Sequence, residues 1–392
     1  MSSTDLLLTF NAGSSTVKIG VFSIDGAEAR HIGKGVIDLR AEPLSLGLTK
    51  GSQTFDMPLR AEVTDDLHGV IDETFTRLAD HFDMAAAAAA GHRVVHGGER
   101  FTSAVALDDA ATDGIEALIP LAPLHQPQAL RFIRALRHLK PHLVQTASFD
   151  TAFHGTQDDL VRRLAIPRSL HEEGIKRYGF HGLSYKFIAG ELARKAPRAA
   201  KAVVAHLGSG ASLCAMENGI SRDCSMGFST LDGIPMATRP GWLDPGVILH
   251  LAGERKRSLG EIEDLLYHRS GLLGVSGISA DTRDLLTDGR PEARQAIDLF
   301  TLRIAGEIGR MAATLGGLDA VVFTAGIGEH QPEIRAGVAK RLSWLGLSID
   351  EKANAANSFT ISAGESRMAA HVVATDEEQV IADEALSVLR AR

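Results

Sequence analysis

Short apolar runs bounded by glycine and hydroxyl residues alternate along this chain with segments of helical period. Leu6–Phe10, the polar stretch Asn11-Ala12-Gly13-Ser14-Ser15-Thr16 and Val17–Phe22 predict two strands around a tight turn. The pattern returns near mid-chain, where Ala202–Ala205 and Leu213–Met216 flank His206-Leu207-Gly208-Ser209-Gly210-Ala211-Ser212. A duplicated fold with one such hairpin per half accounts for the echo, although two hairpins alone make a weak repeat. Between them, Gln126–Lys140 sets Leu130, Ile133, Leu136 and Leu139 on one side, with Pro127 near its start, and predicts a helix. Leu143–Phe149 reads as a buried strand ending on Asp150. Leu299–Leu315 places Phe300, Ile304, Ile308 and Leu315 at helical spacing and stops at Gly316-Gly317. Asp319–Ala325 follows as a strand, then Gly326-Ile327-Gly328-Glu329 as a turn into a helix begun by Pro332. Strands alternating with helices define an α/β class.

Length adds a domain count. The 392 residues exceed the roughly 250–300 at which one core stops growing, so two domains are expected. Hydrophobic content of 44% and charged content of 23% are those of a globular chain and exclude disorder, collagen or coiled coil as the main state. With 41 Lys+Arg against 49 Asp+Glu the net charge is −8, which argues against a general nucleic-acid or membrane-surface partner and leaves room for a local basic pocket. Two cysteines, Cys214 and Cys224, form no disulfide framework and no CxxC pair. The start Met1-Ser2-Ser3-Thr4-Asp5 lacks the features of a signal peptide, and no run approaches the ~18 apolar residues of a membrane span; Ala85–Ala90 is only a short alanine run. A reduced, cytoplasmic protein is expected. Glycine is in mild excess, 39 residues or about a tenth of the chain against a usual ~7%, and its placement matters more than its number.

In the first turn Gly13 lets backbone amides converge, Ser14, Ser15 and Thr16 add hydroxyls, and Lys18 adds charge, a combination that suits a phosphate. The P-loop consensus is absent, and for the turn alone an ordinary Ser/Gly hairpin is the simpler reading. Gly208, Ser209 and Gly210 offer a second amide-rich turn. Gly326-Ile327-Gly328 follows a strand but lacks the third glycine of a dinucleotide fingerprint, so a structural turn is the simpler reading. Five further residues stand in glycine- or proline-bordered strings: Arg93, His125, Asp150, His181 and Arg239. Any one of them is ordinary. Together they meet the demands of phosphoryl transfer, where catalysis is positioning plus cationic stabilisation of charge on three oxygens. Thr375-Asp376-Glu377-Glu378 offers an acidic site for magnesium or, equally, a capped helix start.

Several strings carry a wider likeness. They are Asn11-Ala12-Gly13-Ser14-Ser15-Thr16-Val17-Lys18, His92-Arg93-Val94-Val95-His96-Gly97-Gly98 and Phe149-Asp150-Thr151-Ala152-Phe153-His154. Arg177-Tyr178-Gly179-Phe180-His181-Gly182, Ser279-Ala280-Asp281-Thr282-Arg283 and Phe323-Thr324-Ala325-Gly326-Ile327-Gly328-Glu329 complete the set. Through them the chain resembles the acetokinase family of short-chain acyl kinases from Asn11 to about Glu378.

The resemblance implies the duplicated actin/hexokinase-like (ribonuclease H-like) two-domain fold with nucleotide in an interdomain cleft. The strand that ends on Asp150 sets the expected boundary, with residues 1–150 plus a C-terminal helix 380–392 as one domain and 151–379 as a nucleotide-binding and dimerising domain. The implied reaction is reversible, magnesium-dependent (or manganese-dependent) phosphoryl transfer from ATP to acetate, giving acetyl phosphate and ADP, by a homodimer. Arg93 and Arg239 would hold the carboxylate and the migrating phosphoryl group; His181 would stabilise the transition state with help from His125. Asp150 is the acid/base candidate, but acetate is already ionised at neutral pH, with a model carboxyl pKa near ~4, so we expect it to orient magnesium or substrate instead. Asn11 and Glu377 would serve the metal, and Ser14, Thr16 and Lys18 the phosphates. His206, Leu207, Gly208, Ser209 and Gly210 would line the phosphates, and Asp281, Thr282 and Arg283 the adenosine. Gly326, Ile327, Gly328, Glu329 and His330 would complete the nucleotide site. Val95, Leu124 and Phe180 would wall the acyl pocket. Ser209, Thr230, Trp242, His330 and Asp376 depart from the family's usual pattern, which leaves a propionate- or butyrate-preferring kinase as the alternative, and beyond it a non-catalytic nucleotide-binding protein.

Overall fold

The computed structural model describes residues 5–13, 16–64 and 66–391. The chain separates into two compact units: Met1–Phe153 with Gly182–Phe187 and Asp376–Arg392, and His154–His181 with Ile188–Thr375.

The first unit is built on eight strands: β1 (Leu6–Ala12), β2 (Thr16–Asp25), β3 (Glu28–Asp38), β4 (Ser45–Lys50), β5 (Gln53–Pro58), β6 (Ala87–Val94), β7 (Val105–Ala106) and β8 (Val144–Phe149). Their order is β5-β4-β3-β2-β1-β6-β8-β7. β1 lies between antiparallel β2 and parallel β6, and is apolar without alternation because both its faces are covered. Leu6, Leu8 and Phe10 pack with helices His68–Ala79 and Gln126–Leu139; Leu7 packs with Ala382, Ala385 and Leu386 of helix Glu377–Arg390. The two-residue period of a strand puts Asn11 on the face of Leu7. β6 takes up the alanine run at Ala87 and continues to Val94, a strand despite alanine's weak strand preference. Its small residues let the last helix press close: a Cβ on Gly91 would stand 2.6 Å from Ile381 Cγ2.

The second unit holds β9 (Lys201–Leu207), β10 (Ala211–Glu217), β11 (Ile220–Cys224), β12 (Ala320–Thr324) and β13 (Ala369–Val372), ordered β11-β10-β9-β12-β13. This set matches β3-β2-β1-β6-β8 strand for strand, with two antiparallel pairings followed by two parallel ones. The duplicated actin/hexokinase-like arrangement is therefore present. Both predicted hairpins are longer than their apolar runs, and the second turn shrinks to Gly208–Gly210. Helix Pro291–Leu315 begins ahead of the predicted Leu299, with proline in its first turn; its opening turns bury only Ala293 and Ala296, too little to show a period. The expected turn at Gly326–Glu329 is instead a short helix, Ala325–His330, entered through Ala325 at φ 63°. Among the described residues no helix is long and apolar enough to cross a membrane.

Candidate functional site

In the first unit, parallel strands β1, β6 and β8 bring Asn11, Arg93 and Asp150 to their carboxyl ends, the edge where α/β ligands gather. Arg93 Nε donates to both Asp150 oxygens at 3.1 Å, and Nη2 donates to Oδ2 at 2.5 Å. Its Nη1 donates to Asn11 Oδ1 at 3.1 Å. Asn11 Nδ2 in turn donates to Glu377 Oε2 at 2.8 Å and Glu378 Oε1 at 3.0 Å. Asp150 is 1% exposed, and Arg93 is held well above the ordinary guanidinium pKa: burial opposes its charge, but Asp150, Glu377 and Glu378 outweigh that cost. Gly182 donates its N–H to the Asp150 carbonyl at 2.9 Å, where a Cβ would fall 2.0 Å from that oxygen. Lys18 on β2 stands in register with Asn11.

The remaining first-unit candidates are less concentrated. Val95 is buried, Leu124 is exposed, and His125 precedes helix Gln126–Leu139. Thr16 accepts the Gly13 N–H at 2.8 Å through its carbonyl, and Ser14 lies outside the described residues. Gln126, which sequence reasoning passed over, ties these segments together. Its Nε2 donates to His96 O at 2.9 Å and its Oε1 accepts the His96 N–H at 3.2 Å, fastening the Val95 segment to the helix start.

In the second unit, β9 and β10 present Gly208–Gly210. A Cβ on Gly210 would stand 3.2 Å from Arg239 Nη2 and 3.6 Å from His181 Nε2, so both side chains converge over this turn. His181 stacks on His206 at 4.3 Å between centroids, and its Nδ1 meets Ser212 Oγ at 2.8 Å. Arg239 Nη1 donates to Thr230 O at 2.9 Å, and burial pulls its pKa below the usual value. A cavity of about 550 Å³ brings together Gly208, Ser209, Asp281, Thr282, Arg283, Gly326, Ile327 and His330. Arg283 clamps Asp281 with Nε at 3.0 and 3.1 Å from its two oxygens.

Leu207, Gly210, Gly328 and Glu329 do not line that cavity. Glu329 accepts the Thr375 N–H at 3.1 Å, and Gly328 is buried, its carbonyl accepting from Arg335 Nη1 at 2.9 Å. Phe180 is 1% exposed. Trp242 stacks with Arg303 at 5.2 Å and lines a different cavity, of about 740 Å³, that none of the candidate residues enters. Glu378 stood in the acidic string but was not singled out with Glu377, because adjacent residues at a helix start diverge; here both are buried while Asp376 caps the helix by accepting the Gln379 N–H at 3.0 Å. Ser212 was missed because nothing in a strand sequence marks which hydroxyl meets a histidine.

Two matching sheets, each ending in polar and cationic groups at its strand edges, define the actin/hexokinase-like class with sites suited to a phosphorylated ligand. The acetokinase family model matches residues 6–383, and the chain belongs to that family. An acetate kinase of Nitrobacter hamburgensis is 44% identical over 99% of this chain and 97% of its own. Among solved structures, a propionate kinase from Francisella tularensis has a TM-score of 0.90 at 33% identity, covering 98% of this chain and 100% of that one. The Porphyromonas gingivalis acetate kinase reaches 0.85 at 32%, with the same coverage.

Proposed function

We propose that the protein transfers the γ-phosphoryl group of ATP to acetate, reversibly and in line, giving acetyl phosphate and ADP. The convergence of Arg239 Nη2 and His181 Nε2 over the Gly210 turn carries this reading, since a guanidinium and an imidazole N–H so placed meet charge on a transferring phosphoryl group. A carboxylate oxygen forms the new P–O bond while the bridging oxygen leaves on ADP, and no proton changes hands. Asp150 accordingly needs no base role. Its oxygens accept three close N–H contacts from Arg93, which orient the guanidinium for the acid. The cavity with Asp281–Arg283 and Gly326–Ile327 takes the nucleoside, and Val95 and Leu124 are the first unit's contacts for the acyl group.

Magnesium fits the first unit. Asn11, Glu377, Glu378 and Asp150 offer hard oxygen donors, with three acids against one arginine. Among the described residues no three His, Cys, Asp or Glu side chains form a ready cage. The fit is therefore to an ion held by one or two side chains and by substrate phosphates. When bound, the ion would neutralise developing phosphate charge. We further propose a homodimer formed through the second unit, which exposes Trp242, Leu249, Leu259 and Leu302.

Incubation with magnesium-ATP, acetate and hydroxylamine should trap acetyl phosphate as the hydroxamate. No product in either reaction direction would refute the reading. A higher kcat/KM for propionate or butyrate would replace acetate, since one methylene is worth only about 1–3 kcal/mol in an apolar pocket.

A further inference from the structure

The structure assigns His154 as a positioning residue that holds the His181 segment in its working conformation. This rests on the reading that His181 acts on the phosphoryl group. His154 is 1% exposed, and sits in no cavity described above. Its Nε2 lies 3.0 Å from Phe180 O, and its Nδ1 lies 2.8 Å from Ser221 Oγ. A carbonyl only accepts, so Nε2 carries the proton and donates it to Phe180. Nδ1 then accepts from the Ser221 hydroxyl, whose oxygen accepts the Gln157 Nε2–H at 3.1 Å. The Phe180 carbonyl thereby fixes the proton on Nε2, Gln157 Nε2 also lies 3.4 Å from Nδ1, and the ring is neutral: burial pushes its pKa down to about 4.

What the ring supports is an unusual backbone. Gly179 has φ 85° and His181 φ 59°, so left-handed residues flank Phe180 on both sides. A non-glycine residue persists there only where its surroundings over-determine it. The His154 ring contributes twice. It packs against Gly179, where a Cβ would stand 2.6 Å from the ring's Cγ and Cδ2, and it anchors the peptide carbonyl immediately before His181. The direction in which His181 leaves the chain, toward Ser212, His206 and the Gly210 turn, therefore depends on an imidazole that touches no substrate.

The test compares two polar replacements of similar character. In His154→Gln the amide N–H reaches toward Phe180 O, as Nε2 does; in His154→Asn it stops near the Nδ1 position. The Asn variant should lose about 10²-fold in kcat, the scale of a misplaced catalytic group, while KM for ATP changes little, and the Gln variant should recover most of that loss. Equal losses in both variants would show a merely structural role, and unchanged kcat in both would show none; either result overturns the inference. Nitrogen-15 NMR of the unsubstituted protein gives a check independent of folding: a neutral Nε2–H tautomer is expected at pH 7, and the Nδ1–H tautomer would overturn it. His181→Ala separates the two claims. Near-normal kcat there refutes the role of His181 itself, whereas lost turnover there with a fully active His154→Asn refutes only the positioning.

Discussion

Arg93 and Arg239 sit in corresponding halves of a duplicated fold, yet their surroundings are opposite. Arg93 faces Asp150 across a fork of short bonds, with Glu377 and Glu378 nearby, and its charge is stabilised by the protein's own acids. Arg239 has a backbone carbonyl, Thr230 O, and no carboxylate among the described residues, and burial lowers its pKa. Desolvating a cation without an opposite charge is costly, and an arriving anion removes that cost. The same contrast runs through the surroundings of the two residues. One is a closed polar network of Asn11, Arg93, Asp150, Glu377 and Glu378; the other is a glycine turn beside a cavity. A duplicated scaffold thus carries one arginine oriented by an acid of the chain and one met by a backbone carbonyl.

The sharpest way to break this comparison is Arg239→Ala. Because the guanidinium would meet charge only as it develops, kcat should fall by about 10³-fold or more with the thermal midpoint little changed. A folded variant with near-normal kcat would place Arg239 outside the chemistry. Asp150→Asn should act on both stability and activity. It leaves Arg93 beside a neutral amide, which should cost roughly 3–5 kcal/mol in unfolding experiments. It also loosens the guanidinium, so kcat/KM for acetate should drop by about 10²-fold. Unchanged stability would show that the fork is not a buried pair of consequence.

Acid titration gives the smallest effect and tests both halves at once. Burial pushes His92 and His96 in the first unit, and His154 in the second, down to about 4. An unfolded histidine titrates near ~6.5, so between these values the unfolded chain binds more protons and stability falls as pH falls. The stabilisation is complete above about pH 6.5 and is lost progressively toward pH 4. Thermal midpoints recorded from pH 7.5 to 4.5 should decline through this window, and a flat profile would mean the three rings are not held neutral.

Much of this was legible along the chain. The two Gly/Ser hairpins were a weak sign of a repeat, and the sheets do match strand for strand. The helices at Gln126 and Leu299 were visible because their apolar residues recur at helical spacing. Elements with little side-chain signal were not. β6 is half alanine, which has no period to read, and the first turns of Pro291–Leu315 bury only small side chains. Asp281-Thr282-Arg283 and Gly326-Ile327 were joined in one nucleotide site only by the family resemblance; nothing in their own residue pattern places them in the one cavity they line.

The sequence by itself therefore determined the class, the repeat and the chemical types at the strand ends, because these depend on local period and residue identity. Only tertiary structure decided which groups meet. Asn11 reaches Glu377 and Glu378 across more than 360 positions because the last helix lies over β1 on the face that a two-residue period gives to Leu7 and Asn11. Glycine at position 91 lets that helix come close enough for the contact to form. The state of each arginine was likewise a tertiary matter. Both are the same residue in a glycine- or proline-bordered string, and whether an acid or a carbonyl faces the guanidinium is set by packing between segments that are far apart in the chain.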